Sequence, residues 1–136
     1  MAAREDVQTL RNAYESLNRG EIERALDVLD PDAEWSEHSD LPDAATYRGR
    51  DSIQSFLERY LESWDDFRQD TEEVIDSGDR VAVLLHLFAR GRGSGIEVEA
   101  RYAHVWTMRD GKGVRVDAYA DPDEALETIS DAPAAR

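Results

Sequence analysis

Between Arg80 and Arg90 the chain reads Val81-Ala82-Val83-Leu84-Leu85-His86-Leu87-Phe88-Ala89, with a single polar interruption. An apolar run of this kind without a helical period reads as a central strand buried on both faces. Turn sequences bound it, Ser77-Gly78-Asp79 on one side and Gly91-Arg92-Gly93-Ser94-Gly95 on the other. Residues 67–76 before it predict a strand with a polar face. Residues 96–108 after it predict another strand. Asp110-Gly111-Lys112-Gly113 turns the chain again, into a last strand over 114–120. Four strands in antiparallel succession therefore end the domain.

The first half has a different period. Val7, Leu10, Tyr14 and Leu17 recur in steps of three and four, which predicts a helix over residues 4–18 with Gly20 in the left-handed conformation after its end. Ile22, Ala25, Leu26 and Leu29 predict a second helix, stopped by Asp30-Pro31-Asp32. A short strand is expected over 33–38 and a loop over 39–49. The widest apolar stripe, Ile53, Phe56, Leu57, Tyr60, Leu61 and Trp64, predicts a third helix over 51–64, capped by Asp51 or Ser52. Asp121-Pro122-Asp123-Glu124 opens a short final helix, with Asp121 as cap. Helices first and hairpins after imply an α+β fold, with helices on one face of a curved sheet. Such a layer leaves a pocket at its open end. The 136 residues make one domain, expected over 1–128, with a flexible tail at 129–136.

Composition narrows the function. There is no cysteine, so thiol nucleophiles, disulfides and Cys-bound zinc are excluded. Three histidines leave little for a His-rich metal centre, and no metal or cofactor is expected. Sixteen basic against 31 acidic residues give a net charge of −15, which repels phosphate backbones and argues against nucleic acid as partner. No stretch approaches the about 18 apolar residues of a membrane span. The first residues lack a signal-peptide pattern, so a cytoplasmic protein is expected. Fifteen of the 16 basic residues are arginine, which speaks to genome or salt habitat and not to function.

The candidate chemistry lies in side chains that alternation points inward. On the strand over 96–108, Tyr102, His104, Trp106 and Met108 share one face, assigned to the concave side; Arg101, Ala103, Val105 and Thr107 share the other. His104 is then a partly desolvated imidazole, usable as acid, base or donor, or else a bonded core histidine. Trp35 and Glu37 share a face of the first strand. A carboxylate beside an indole near an apolar pocket would have its pKa raised by lost hydration, which would make Glu37 a usable base near neutral pH, or else Glu37 is a solvated glutamate near a loop. Tyr14 offers a hydroxyl from the first helix, or only a packing ring. His86 lines the cavity or a subunit contact. The last strand has two readings: with Val116, Ala118 and Ala120 inward, Asp117 and Tyr119 face out; reversed, Asp117 is a pocket acid. Tyr60 and Trp64 of the third helix complete the candidate pocket wall, Trp64 being readable also as core.

The order and spacing of several short pieces carry a resemblance. They are Ala13-Tyr14 through Asn18-Arg19-Gly20-Glu21-Ile22, Asp32-Ala33-Glu34-Trp35, Tyr47-Arg48-Gly49-Arg50, His104-Val105-Trp106 and Arg109-Asp110-Gly111-Lys112. Together they resemble the SnoaL-like branch of the NTF2-like superfamily, which also contains ketosteroid isomerase. The resemblance spans residue 5 to about 128. It implies a cone-shaped fold, a curved mostly antiparallel sheet covered by three N-terminal helices. It does not imply one reaction, because the fold serves isomerases, cyclases, epoxide hydrolases, dehydratases and non-catalytic binders. Carried over residue by residue, the isomerase's oxyanion tyrosine falls on Tyr14, its general base on or near Glu37, and its second oxyanion group near Tyr102. The cyclases' acid and histidine would fall on His104 with Asp117 or Glu37.

The sequence thus predicts a hydrophobic pocket for a small carbonyl-bearing molecule. The expected catalytic set is Glu37, His104, Tyr14 and Asp117; the expected pocket set is Trp35, Tyr60, Trp64, His86, Tyr102 and Trp106. A cofactor-free acid–base isomerase or cyclase is one reading, and a non-catalytic ligand-binding or dimerisation module is the other. A homodimer is expected, with the outward set Arg101, Ala103, Val105 and Thr107 as its candidate surface.

Overall fold

A computed structural model describes residues 2–38 and 45–130. Helices α1 (Ala2–Asn18) and α2 (Ile22–Leu26) lead into strand β1 (Leu29–His38). Strand β2 (Thr46–Arg48) and helix α3 (Arg50–Glu62) follow. Four long strands come next: β3 (Trp64–Ser77), β4 (Arg80–Gly91), β5 (Glu97–Arg109) and β6 (Lys112–Tyr119). Helix α4 (Pro122–Ser130) closes the order. The six strands form one open sheet in the order β2-β1-β6-β5-β4-β3. Among the described residues only the β1–β6 pair is parallel. The expected α+β, NTF2-like architecture is what the chain adopts.

The end of α1 shows how local sequence sets the path. Gly20 takes φ +79°, the left-handed conformation that a side chain disfavours. Its N–H then reaches the Leu17 carbonyl at 2.9 Å, and the Glu21 N–H reaches the Ser16 carbonyl at 2.9 Å. These paired bonds close the last turn and send the chain back into α2. At α4, the Asp121 carboxylate accepts the Asp123 N–H at 2.9 Å, as the capping sequence predicts.

Several boundaries differ from expectation. The second helix ends at Leu26, and Leu29 already belongs to β1. Asp30-Pro31-Asp32 does not stop the chain; it lies in a stretch where the β1–β6 register shifts, and a bulge is where a strand tolerates proline. The expected 39–49 loop contains β2, paired to β1 through Trp35 and Tyr47; residues 39–44 lie outside the described ones. Helix α3 is capped by Gly49 without a side-chain bond, so neither Asp51 nor Ser52 has the expected capping role. Trp64 opens β3 instead of ending the helix. Residues 129 and 130 finish α4, Ile129 is buried, and the rest of the expected tail lies outside the described residues.

The sheet separates two apolar clusters. On the concave side Leu10, Tyr14, Leu26, Ile53 and Leu57 of the helices pack on Val81, Val83, Leu85 and Trp106. Each fully buried leucine or isoleucine there contributes about 1.5–3 kcal/mol. On the convex side Ala125 and Ile129 of α4 pack on Ala82, Ala103 and Val105. Ala103 and Val105, expected on a free interface, are therefore covered by the chain's own last helix. The apolar run of β4 is apolar because it is buried on both sides.

Candidate functional site

The helices do not fill the concave side. A cavity of about 380 Å³ remains between α1, α3 and the sheet, mostly apolar in lining. Strand alternation delivers its polar groups. Tyr102, His104 and Trp106 enter from β5, and Trp35 and Glu37 from β1. Tyr14 enters from α1 and Tyr60 from α3.

His104, 5 % exposed, is the most constrained of these. Trp106 Nε1 donates to the Tyr14 hydroxyl at 2.9 Å. The Tyr14 hydroxyl lies 2.6 Å from His104 Nδ1. An indole N–H can only donate, so the Tyr14 oxygen accepts from it; the Tyr14 proton is assigned to Nδ1, the one other polar partner of that hydroxyl among the described residues. That leaves the imidazole's proton on Nε2, where no described residue accepts it. Burial pushes the His104 pKa down to about 3, so the ring is neutral at physiological pH. Burial also pushes the Tyr14 hydroxyl upward, keeping it protonated. Trp35 closes the set, its ring edge-on to His104 with centroids 4.9 Å apart.

Glu37 is the cavity's carboxylate. Its Oε2 accepts the Trp35 indole N–H at 2.5 Å. Burial raises its pKa from the ordinary value; the Trp35 hydrogen bond and the nearby His38 lower it by less. The sheet register places Glu37 opposite Ala118, and Ala118 opposite His104. Glu37 and His104 thus share one rung, two strands or about 10 Å apart in backbone, with Ala118 between them on β6 and the Trp35 indole against both side chains. Two rungs along, on the same face, Trp35, Val116 and Trp106 repeat the pattern, so two indoles line this wall.

Three expected site residues are elsewhere. Asp117 does not line the cavity: alternation that turns Ala118 inward turns Asp117 away, into a pair with His38 Nε2 at 2.7 Å and a double contact with Arg115. Of the two facings weighed for the last strand, the small residues have the inner one, Val116 buried in the core and Ala118 on the cavity wall. His86 faces the convex side, 2.7 Å from Glu99 and 3.4 Å from Glu72. Trp64 does not line the cavity either; it leaves the helix for β3, and its ring meets Tyr60 edge-on. Conversely, Gln69 lines the cavity and was not singled out. The signal was available: Phe67, Gln69 and Thr71 alternate with the charged Arg68, Asp70 and Glu72, so the uncharged set is the inner one.

Comparison with known proteins agrees with this architecture. Residues 10–116 match the model of the SnoaL-like domain, and the chain belongs to that family. Among solved structures it is similar to TerC, co-crystallised with polyporic acid, with 26% identity over 93% of this chain and 98% of that one, TM-score 0.75. It is similar also to an NTF2-like protein of Burkholderia thailandensis, with 28% identity over 91% and 96% of the two chains, TM-score 0.74. A candidate polyketide cyclase of Xanthomonas campestris shares the fold, with 22% identity over 96% and 100%, TM-score 0.68. No curated protein matches. Among the described residues no helix is long and apolar enough to cross a membrane.

Proposed function

We propose that the cavity binds a hydrophobic small molecule bearing a carbonyl group and moves a proton on the carbon beside that carbonyl. The observation that carries this reading is the Glu37–Ala118–His104 rung. The Glu37 carboxylate takes the proton from the α-carbon, and the electron pair left behind moves onto the carbonyl oxygen as an enolate. The neutral His104 donates its Nε2 proton in a hydrogen bond to that oxygen. Glu37 then returns its proton to a carbon of the ligand, so the step is balanced without an added cofactor. A carboxylate with a raised pKa is a stronger base than one in water, and a neutral imidazole is a donor that a buried site can hold without a counter-charge. Tyr14 acts through His104 as a positioning residue, since its own proton is committed. The expected role of Asp117 is not part of this proposal.

Support comes also from membership of the SnoaL-like family and from TerC, a similar protein co-crystallised with polyporic acid. The test is hydrogen exchange. The protein is incubated with 2-acetylnaphthalene in D₂O, and deuterium entering the acetyl group is followed by NMR. Catalysed exchange that falls at least about a hundredfold in Glu37→Gln supports the reading. Binding without exchange assigns the cavity to ligand carriage instead. A homodimer also belongs to the proposal; sedimentation equilibrium giving a monomer mass overturns it.

A further inference from the structure

On the β3–β5 side of the cavity, a second polar group is incompletely satisfied. Gln69 on β3 is 4 % exposed. Its backbone is clamped by the last residue of α1: Asn18 Oδ1 accepts the Gln69 N–H at 2.9 Å, and Asn18 Nδ2 donates to the Gln69 carbonyl at 3.0 Å. With the backbone fixed, the side chain is committed to the cavity wall. Its Nε2 donates to the Tyr102 hydroxyl, and Tyr60 stands beside Tyr102. Its Oε1 is buried and has no hydrogen-bond partner among the described residues. A buried carbonyl in that state costs free energy that a ligand donor would recover.

We propose that Gln69 and Tyr102 form a second polar subsite that takes a neutral hydroxyl group of the ligand. The ligand is then a hydrophobic ketone carrying a hydroxyl in addition to its reacting carbonyl. The inference rests on the reading of the cavity as a site for a carbonyl-bearing molecule. The chemistry of the subsite selects the group. Oε1 requires a donor. If the carboxamide is turned over, Tyr102 donates to Oε1 and the free Nε2 requires an acceptor. A hydroxyl satisfies either arrangement; a second ketone or an ether satisfies only the latter. A carboxylate or phosphate finds no counter-charge here. Arg101 is the one Arg or Lys among the described residues lining the cavity, and its guanidinium is turned outward to Glu72 at 3.1 and 3.4 Å.

The test compares two probes that differ by one group, 2-acetylnaphthalene and 6-hydroxy-2-acetylnaphthalene, by calorimetric titration. The native protein is expected to bind the hydroxylated probe about 3- to 10-fold more tightly. Gln69→Leu and, as a second variant of matched length, Gln69→Met are expected to bind the two probes with equal affinity. Equal affinity of the native protein for the two probes overturns the proposal, as does failure to bind either, or a preference that persists unchanged in a folded Gln69 variant. If neither variant folds, the native comparison decides. Glu37→Gln separates this from the proposed chemistry: it should abolish exchange and leave the hydroxyl preference intact. Exchange without the preference removes only the subsite; the preference without exchange removes only the chemistry.

Discussion

The indole of Trp106 occupies the space in which Gly113 would carry a side chain. A Cβ built on Gly113 stands 2.5 Å from Trp106 Cε3 and 2.7 Å from Cζ3. Nothing in the turn geometry requires glycine at this position; the close approach of the ring does. Trp106 is also the donor that orients Tyr14.

Gly113→Ala is therefore expected to push Trp106 out of place and destabilise the fold by about 1–3 kcal/mol, the usual cost of overpacking. Urea denaturation measures the loss. Because the displaced indole no longer holds the Tyr14 oxygen, the variant should also lose catalysed exchange in whatever fraction remains folded.

Tyr14→Phe removes one oxygen and strands two buried groups, Trp106 Nε1 and His104 Nδ1. A destabilisation of about 1–3 kcal/mol is expected. The more telling readout is ¹⁵N NMR of His104. In the native protein the ring should carry its proton on Nε2. In Tyr14→Phe that preference should weaken, because nothing then donates to Nδ1. A native ring found in the other tautomer would contradict the donor order drawn from Trp106.

The pH dependence of stability follows from His104. The unfolded imidazole takes up its proton near pH 6.5, the folded one only near about 3. Between these values the unfolded state holds the extra proton, so the stability owed to His104 is present above about pH 6.5 and is lost as the pH falls toward 3. The slope is at most about 1.4 kcal/mol per pH unit. Glu37 has the opposite sign. Its raised pKa favours the folded state as the pH falls toward 4.5, offsetting part of the loss. Denaturation midpoints of native protein and His104→Gln from pH 7 to 4.5 should converge as the solution becomes more acidic.

The pH profile of exchange reports on Glu37. Its acid limb should have a midpoint above 4.5, because burial raises the carboxyl pKa. The Trp35 N–H opposes that shift. Trp35→Phe should move the limb to still higher pH, while Glu37→Gln should remove it. A limb unmoved in Trp35→Phe would mean that another group titrates in the profile.

Period-two alternation made much of the site legible. On β5 it put Tyr102, His104 and Trp106 on one face, and on β1 it paired Trp35 with Glu37, before any pairing of strands was known. What it does not carry is which face is inner when both are mixed. The facing of Asp117 depended on the β5–β6 register, which sets Ala118 opposite His104 after a register shift between Thr107 and Met108 that residues 112–119 do not announce. His86 had two open readings because its strand is buried on both sides. Asp30-Pro31-Asp32 has the composition of a helix stop, and only the bulge beside β6 explains how a strand accommodates it. Gln69 is hard to read because β3 is rich in charge, and its inner face is marked only by the absence of charge at Phe67, Gln69 and Thr71.

Helix α4 lies behind the sheet, against Ala103 and Val105, the two neighbours of His104 in sequence. The segment that projects the imidazole is thus braced from the rear, by contacts that never touch the hollow. A domain of this size can leave part of its interior unfilled because rigidity is supplied from the opposite side of a shared wall. Solidity behind and vacancy in front are two halves of one arrangement, and loosening the brace should blunt the site without altering a single group that faces it.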